Sequence, residues 1–291
     1  MHWRDYEKAV FDEFTLRYPT SKIRWNVNLQ GVLSGVDRQI DILVDATVGG
    51  TQVRTIIDAK MYGKPIDVKH VEEFLGLMKD VDAVRGMMVT TVGYSKAALA
   101  RAHRDKSDLE LDVMSVAEFK EFQAPIGIPF SGPNAVFLPA PFGWIVDNAS
   151  AKQFPAVLYQ RGLTFHQAAK SLEWAYYQFW RKDVVGTPAT VEALIEKQNM
   201  DLRDENVNTQ IERLAVPETV GRSAGIRLAR RPHHPTWEYT GVVEFEEFLF
   251  FIVMFTPQVV ANRNLRKLIE AMSWVTPGKL KAPRANNTCL I

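Results

Sequence analysis

Asp41, Asp58 and Lys60 carry the strongest chemical signal in this 291-residue chain. Asp58 and Lys60 stand two apart in TQVRTIIDAK (51–60), a β-branched run that reads as a strand, so their side chains leave one face and Ala59 the other. Asp41 lies on the preceding strand-like segment, RQIDILV (38–44), and the intervening Gly49-Gly50 favours a two-residue hairpin turn. That turn pairs Val48 with Thr51. It then sets Asp45 against Arg54, Leu43 against Ile56, Gln39 against Lys60 and Asp41 against Asp58. Only the last pair is unfavourable, because opposed carboxylates repel unless a proton or a cation sits between them. A hard divalent ion such as Mg²⁺ is often held by one or two carboxylates together with waters and substrate phosphate. Such an ion polarises a phosphate and acidifies bound water, and a neighbouring ammonium offsets charge on the transition state or helps to deprotonate the water. The chemistry that suits these residues is phosphodiester hydrolysis. Spacing alone leaves an ordinary surface pair open, worth under about 1 kcal/mol, and a one-residue slip would put Asp41 on the other face.

The elements that must position these groups follow from periodicity. WRDYEKAVFDEFTLRY (3–18) spaces Tyr6, Val10, Phe11 and Phe14 as a helix that Pro19 ends. IRWNVNL (23–29), RQIDILV and TQVRTIIDAK read as an antiparallel meander. IDVKHVEEFLGLMKD (66–80) has one apolar helical face and Asp67 as its cap. GMMVTT (86–91) reads as a buried strand, YSKAALARAHR (94–104) as a helix entered through Ser95, and LELDVMS (109–115) as a closing strand. The result is a mixed sheet flanked by helices, an α/β fold. The Pro- and Gly-dense stretch 123–143 reads as a linker, placing a break near 124. Beyond it the expectation is an α+β region over 125–291: a long aromatic helix at 164–182, a helix from 188 to 203, strands between 208 and 256, and a last helix at 260–274.

From Tyr6 to about Ala102 the chain resembles the Mrr-type restriction endonuclease domain, a branch of the PD-(D/E)xK nucleases. The matching pieces are YEKAVFDEF, GVDRQIDILV, TIIDAK and KPIDVKHVEEFLGLMKDVDAVRGMMVTTVGYSKAALARA, the last being the most specific. The resemblance implies a restriction-endonuclease-like fold for residues 1–124, with Asp41 as the first metal-binding acid, Asp58 at the (D/E) position and Lys60 as the motif lysine. Glu7 matches an acid that many members contribute as a further ligand, and the Ala59 carbonyl completes the set. Ile40 replaces the Pro of the motif name, and Asp58 stands where Glu is commoner. Neither departure removes the charge. The resemblance also implies DNA as substrate, foreign or modified, a defence setting, and Mg²⁺ or Mn²⁺ as cofactor.

Other polar groups are weaker signals. Lys64, Lys69, Lys96 and Arg101, with Arg104 and Lys106, suit a DNA backbone, as do Arg230 and Arg231 in a cluster with Arg222, Arg227, His233 and His234. Solvated helix faces and exposed turns have the same composition. Glu72 and Glu73 read mainly as a solvated helix side. Thr90, Thr91, Tyr94 and Ser95 form a polar turn that capping explains. Trp174, Tyr176, Tyr177, Phe179 and Trp180 read as core or interface rather than a base-stacking platform.

Composition sets the bounds. Lys plus Arg number 35 against 34 Asp plus Glu, so any nucleic-acid surface is local. The only cysteine, Cys289, excludes an intramolecular disulfide and a four-thiolate zinc site, in keeping with a cytoplasmic protein. The longest apolar run, FLFFIVMF (248–255), is too short to span a bilayer as a helix. Two readings compete with a defence nuclease. One is a structure-selective repair nuclease, and the other is a non-catalytic binding or scaffold protein whose C-terminal region recruits a partner. Double-strand cutting would need two active sites, hence a homodimer or partner protein.

Overall fold

The computed structural model describes residues 3–18, 21–48, 51–105, 110–120 and 123–280. Helix α1 (Trp3–Arg17) is followed by strands β1 (Lys22–Gln30), β2 (Asp37–Val48) and β3 (Thr51–Lys60), helix α2 (Val68–Asp80), β4 (Arg85–Thr90), α3 (Lys96–His103), β5 (Glu110–Ser115) and a short α4 (Val116–Lys120). The five strands form one sheet in chain order, with β1, β2 and β3 antiparallel and β3, β4 and β5 parallel. This is the mixed sheet expected from periodicity. The caps are as read from sequence: Asp67 accepts from the main-chain N–H groups of Lys69 and His70, and Ser95 from that of Ala98.

Strand alternation divides the sheet's side chains between two cores. Ile42, Val44, Ile57, Ala59, Met87 and Val89 face Tyr6, Val10 and Phe14 of α1. Leu43, Ile56, Met88, Leu111 and Val113 face Val71, Phe74, Leu75 and Met78 of α2 and Ala98 and Ala102 of α3. Each large side chain so buried contributes roughly 1.5–3 kcal/mol. Gly86 is required by packing, since a Cβ there would sit 2.4 Å from Met78 Sδ and 2.7 Å from Phe74 Cε1.

The alternation breaks once. Asn26 has φ 49°, the β1–β2 ladder lacks an Asn26–Asp41 pair, and beyond this point Val27, Leu29 and Ile40 join the α2 core. The outer part of the β1–β2 hairpin is therefore a two-stranded arm lying against α2 rather than a continuation of the sheet.

Two sequence expectations fail in the C-terminal half. The stretch 123–143 is not a linker: it contains β6 (Ile126–Ser131) and β7 (Asn134–Leu138), which form a hairpin turned at Gly132. Pro129 is tolerated because β6 is an edge strand with a register shift beside it. After β8 (Trp144–Asp147) and β9 (Ala156–Gln160), the expected long helix at 164–182 is a short α5 (Phe165–Ser171) followed by β10 (Trp174–Arg181). Thr164 and Gln167 form a capping box, and Leu172 ends the helix in the left-handed conformation. The aromatic run then alternates across a sheet: Ala175 and Tyr177 enter one core, with Phe179 packed against it, while Tyr176 and Trp180 pack against another.

The remaining elements are α6 (Val191–Glu205), β11 (Gln210–Leu214), β12 (Ala224–Arg230), β13 (Thr236–Glu244), β14 (Phe248–Pro257), α7 (Ala261–Trp274) and β15 (Thr276–Lys279). A seven-stranded antiparallel sheet runs β11-β12-β13-β14-β10-β9-β8, and β15-β7-β6 form a third sheet. FLFFIVMF is the buried inner strand β14. α6 covers one face of the large sheet, and α7 and the third sheet cover the other.

A buried ion network joins α7 to the N-terminal sheet. Arg85 Nη2 lies 2.8 Å from Glu270 Oε2, and Lys267 Nζ and Arg266 Nε lie 2.7 and 2.9 Å from the Glu110 carboxylate. Burial alone would raise the Glu110 carboxyl, but Arg85, Lys267 and Arg266 outweigh it and hold the group at about 2. Arg161, which follows β9, closes on Asp112 at 3.3 Å. Among the described residues no helix is long and apolar enough to cross a membrane.

Candidate active site

The β2–β3 ladder has the register read from Gly49-Gly50, with Val48 opposite Thr51, Asp45 opposite Arg54 and Leu43 opposite Ile56. The turn itself lies outside the described residues. The ladder ends at Ile42–Ile57, one pair short of Asp41 and Asp58, and Gln39 does not pair with Lys60. The strands fork there because β2 follows the arm toward α2 while β3 stays with β4. At the fork Asp41 Oδ2 accepts a hydrogen bond from the Ala59 N–H at 3.1 Å, so a side chain replaces the next ladder bond.

The fork opens into a cleft of about 490 Å³ lined by Asp41, Asp58, Ala59 and Lys60, with Glu7 and Trp3 from α1 on one side and Phe74 and Leu77 from α2 on the other. Lys60 Nζ sits 2.8 Å from Asp58 Oδ1 and 3.8 Å from Asp41 Oδ2. Thus the three groups singled out in sequence, and Glu7 with them, share one cleft.

The electrostatics of the cleft are those of crowded anions. Burial, opposed by Lys60 and reinforced by Asp41, raises the Asp58 carboxyl to about 6. Burial and the charge of Asp41 raise Glu7 to about 7. Burial would lower the Lys60 ammonium, but Asp58 and Asp41 together push it above its ordinary value, so it remains a cation at neutral pH. Burial and then Asp58 raise the Tyr6 phenol, whose hydroxyl is buried without a hydrogen-bond partner among the described residues.

This donor set suits a dication. Fully ionised, Glu7, Asp41 and Asp58 outnumber the single ammonium of Lys60, and added positive charge would relieve the elevated carboxyl groups. No three Asp, Glu, His or Cys side chains among the described residues form a closed ligand cage. The oxygen donors are therefore sparse, as Mg²⁺ accepts by keeping several of its waters.

Sequence reasoning did not find Trp3, Tyr62 and Gln39 on the cleft wall. Two signals were available: Tyr62 is two residues beyond Lys60, and Trp3 is one helical turn before Glu7. Gln39 reaches its place through the arm and donates to Asn26 Oδ1 at 2.8 Å.

The candidate phosphate contacts differ in how far their charge is already paired. Lys64 and Lys96 are exposed, and Lys69 is exposed with Glu73 3.9 Å away. Arg101 is held by Glu72 and, at 2.7 Å, by Asp105. Arg230 pairs with Glu212 at 3.0 Å and lies over the Trp237 ring, and Arg231 pairs with Glu238 at 3.2 Å and Glu205 at 3.6 Å, both in the seven-stranded half. Arg227 is not part of a surface cluster: it is buried against Glu238 and Thr240. Tyr94 donates to the main-chain carbonyl of Met88, and Thr90 is buried. Lys106 and Cys289 lie outside the described residues.

Residues 1–122 match the Mrr_cat family model, described as a restriction endonuclease, which supports a domain of restriction-endonuclease type in the N-terminal part of the chain. No curated protein matches. Among solved structures the chain is similar to AF1548, a protein of unknown function, with 18% identity over 42% of this chain and 68% of that one and a TM-score of 0.32. It is similar to the cyanobacterial PsbP (CyanoP) of Synechocystis sp. PCC 6803, with 11% identity over 53% of this chain and 92% of that one and a TM-score of 0.33. It is also similar to VC1899 of Vibrio cholerae, with 22% identity over 40% and 30% of the two chains and a TM-score of 0.29.

Proposed function

We propose that this protein is a metal-dependent deoxyribonuclease that hydrolyses phosphodiester bonds in foreign or modified DNA, as a cytoplasmic restriction or phage-defence enzyme. Residues 1–124 form its nuclease part and 125–291 a second part that recognises the target or recruits a partner. The observation that carries the reading is the convergence of Asp41, Asp58 and Lys60 on one cleft at the β2–β3 fork. Asp41 and Asp58 would hold Mg²⁺ or Mn²⁺, with help from the Ala59 carbonyl, and Glu7 would contact the ion or one of its waters. When bound, the ion supplies Lewis acidity toward the phosphate and a more acidic water.

The chain's own residues do the rest. Lys60, anchored by Asp58, presents a fixed ammonium toward the scissile phosphate and the charge that develops on it. Glu7, titrating near neutrality, accepts or shares a proton at the cleft wall. Lys64, on the segment leaving β3, and Lys69, in the first turn of α2, meet the DNA backbone beside the cleft. Cutting both strands calls for two such sites, hence two copies or a partner.

The test is cleavage of plasmid and methylated phage DNA with Mg²⁺ or Mn²⁺ at several salt concentrations. The native chain cuts, while Asp58→Ala and Lys60→Ala stay folded by circular dichroism and do not cut. Full cleavage by both variants would overturn the assignment, and preference for branched over methylated duplex would move the enzyme from defence to repair.

A further inference from the structure

The turn at the end of the β1–β2 arm is apolar, exposed and rigidly held. Val32, Leu33 and Val36 are 67%, 76% and 53% exposed. Such a tip would ordinarily be mobile, yet this one is clamped by the buried carboxylate of Asp80 at the end of α2. Asp80 Oδ1 accepts from the N–H groups of Leu33 and Ser34 at 3.1 and 2.9 Å, and Oδ2 accepts from Ser34 Oγ and Arg38 Nε at 2.7 and 2.6 Å. The Asp80 carbonyl accepts from the Val32 N–H at 2.6 Å. Gly31 is the one residue that fits beneath: a Cβ there would stand 2.5 Å from Asp80 Oδ2 and from Ser34 Oγ. A buried acid with four donors fixes three apolar side chains in water, where they gain nothing for the fold.

The tip ends the arm whose other end contributes to the cleft wall. Asp41 and Gln39 line the cleft, and Asp37, where the turn rejoins β2, is four residues from Asp41, about 13 Å along the strand. Arg38, paired with Asp80 yet partly exposed, and the exposed Lys79 stand beside the tip, as does the exposed Asp37. Three side chains are too few to hold a protein partner, since stable interfaces bury on the order of 800 Å² on each side. They are the right size for a wedge between two base pairs, and Lys79 offers a cation to a neighbouring phosphate.

We propose that Val32, Leu33 and Val36 form a rigid wedge that enters the DNA minor groove and partly unstacks a base step a few nucleotides from the scissile phosphate. The proposal rests on the nuclease reading and adds to it how the duplex is gripped and bent. Rigidity is part of the device, because a clamped tip loses little conformational entropy on insertion.

The experiment uses the full chain, metal-free so that binding is read without cutting, and duplexes carrying 2-aminopurine at successive positions. The native chain is expected to raise 2-aminopurine fluorescence at one or two adjacent positions. The triple variant Val32→Ser, Leu33→Ser, Val36→Ser is expected to lose that signal and bind about tenfold more weakly, with an unchanged melting temperature and unchanged salt dependence of binding. Leu33→Ser alone is expected to show part of the effect. Native binding with no fluorescence change at any position overturns the wedge, as does a triple variant that unstacks bases like the native chain. A variant that binds DNA normally but shifts from dimer to monomer in sedimentation assigns the tip to a second copy and also overturns it. If the native chain neither binds nor cuts DNA, the nuclease reading falls first. If it binds and cuts but the tip variants behave as native, only the wedge falls.

Discussion

The main-chain N–H of Ala59 donates to Oδ2 of Asp41 at 3.1 Å, just beyond the last β2–β3 ladder pair, Ile42–Ile57. Asp41 thus has two tasks: it caps the fork by satisfying a strand N–H that has lost its ladder partner, and it supplies charge to the cleft. The bond also explains how two acids can face each other across neighbouring strands, since one of them is held in place by the other strand's backbone.

The two tasks can be separated. Asp41→Asn keeps an oxygen acceptor for Ala59 and removes the charge, whereas Asp41→Ala removes both. On the proposed reading Mg²⁺ or Mn²⁺ is expected to raise the melting temperature of the native chain, and both variants are expected to lose that rise. Only Asp41→Ala is expected to lose about 1–3 kcal/mol of stability in urea unfolding without metal, because it leaves the N–H unsatisfied. Equal stability of the two variants would refute the capping role.

Proton linkage gives a second test. Asp58 and Glu7 hold their protons more tightly in the folded chain than in the unfolded one, with folded values of about 6 and about 7. The folded state therefore binds more protons between the unfolded carboxyl range, near 4, and those values, so metal-free stability falls as pH rises through this window and is fully lowered above it. Glu7→Gln and Asp58→Asn each remove one such cost. Each is expected to stabilise the metal-free chain at pH 8 by about 1–3 kcal/mol and to change little at pH 4. Melting curves at the two pH values check this, and destabilisation at pH 8 would show that the carboxylates are not strained there.

The N-terminal half was legible because its signals are local. Val71, Phe74, Leu75 and Met78 recur at helical spacing, the caps Asp67 and Ser95 precede their helices, and the register between β2 and β3 follows from one turn. The fork was not legible, because it arises where β1 and β2 turn together onto α2, a tertiary choice marked in sequence only by Asn26 adopting a positive φ. Lys60 reached Asp58 rather than Gln39 for the same reason. For residues 174–181 an aromatic run satisfies a helix face as readily as two strand faces, and the decision lies in the distant β14, which pairs with β10 from Trp174–Phe255 to Arg181–Phe248.

The ion network between α7 and the N-terminal sheet makes the two parts dependent on each other. Glu270→Gln would leave buried Arg85 with Glu110, 3.4 Å away and shared with Lys267 and Arg266, as its anionic partner, and Lys267→Met would deprive Glu110 of an ammonium 2.7 Å away. Each is expected to cost about 3–5 kcal/mol, while the paired replacement Arg85→Met with Glu270→Met recovers much of the loss. By the same argument residues 1–124 expressed alone lack Arg266, Lys267 and Glu270 and are expected to aggregate or melt far below the full chain. A fragment with native-like cooperative melting would show that the network adds little.

Tyr177 offers a prediction of opposite sign. Its ring is fully buried between Phe179 and Phe250, with centroids at 5.9 and 5.4 Å, yet its hydroxyl has no hydrogen-bond partner among the described residues. Burial pushes the phenol above its ordinary value, as expected for a hydroxyl removed from water without compensation. Tyr177→Phe keeps the ring contacts and removes the stranded group, so it is expected to stabilise the chain by about 1–2 kcal/mol. The change lies in the seven-stranded sheet, away from the fork, so DNA cleavage should be unaffected. A loss of stability on urea unfolding would mean that the hydroxyl has a partner, such as a buried water bridging it to a main-chain carbonyl, and that this partner contributes more than the desolvated oxygen costs.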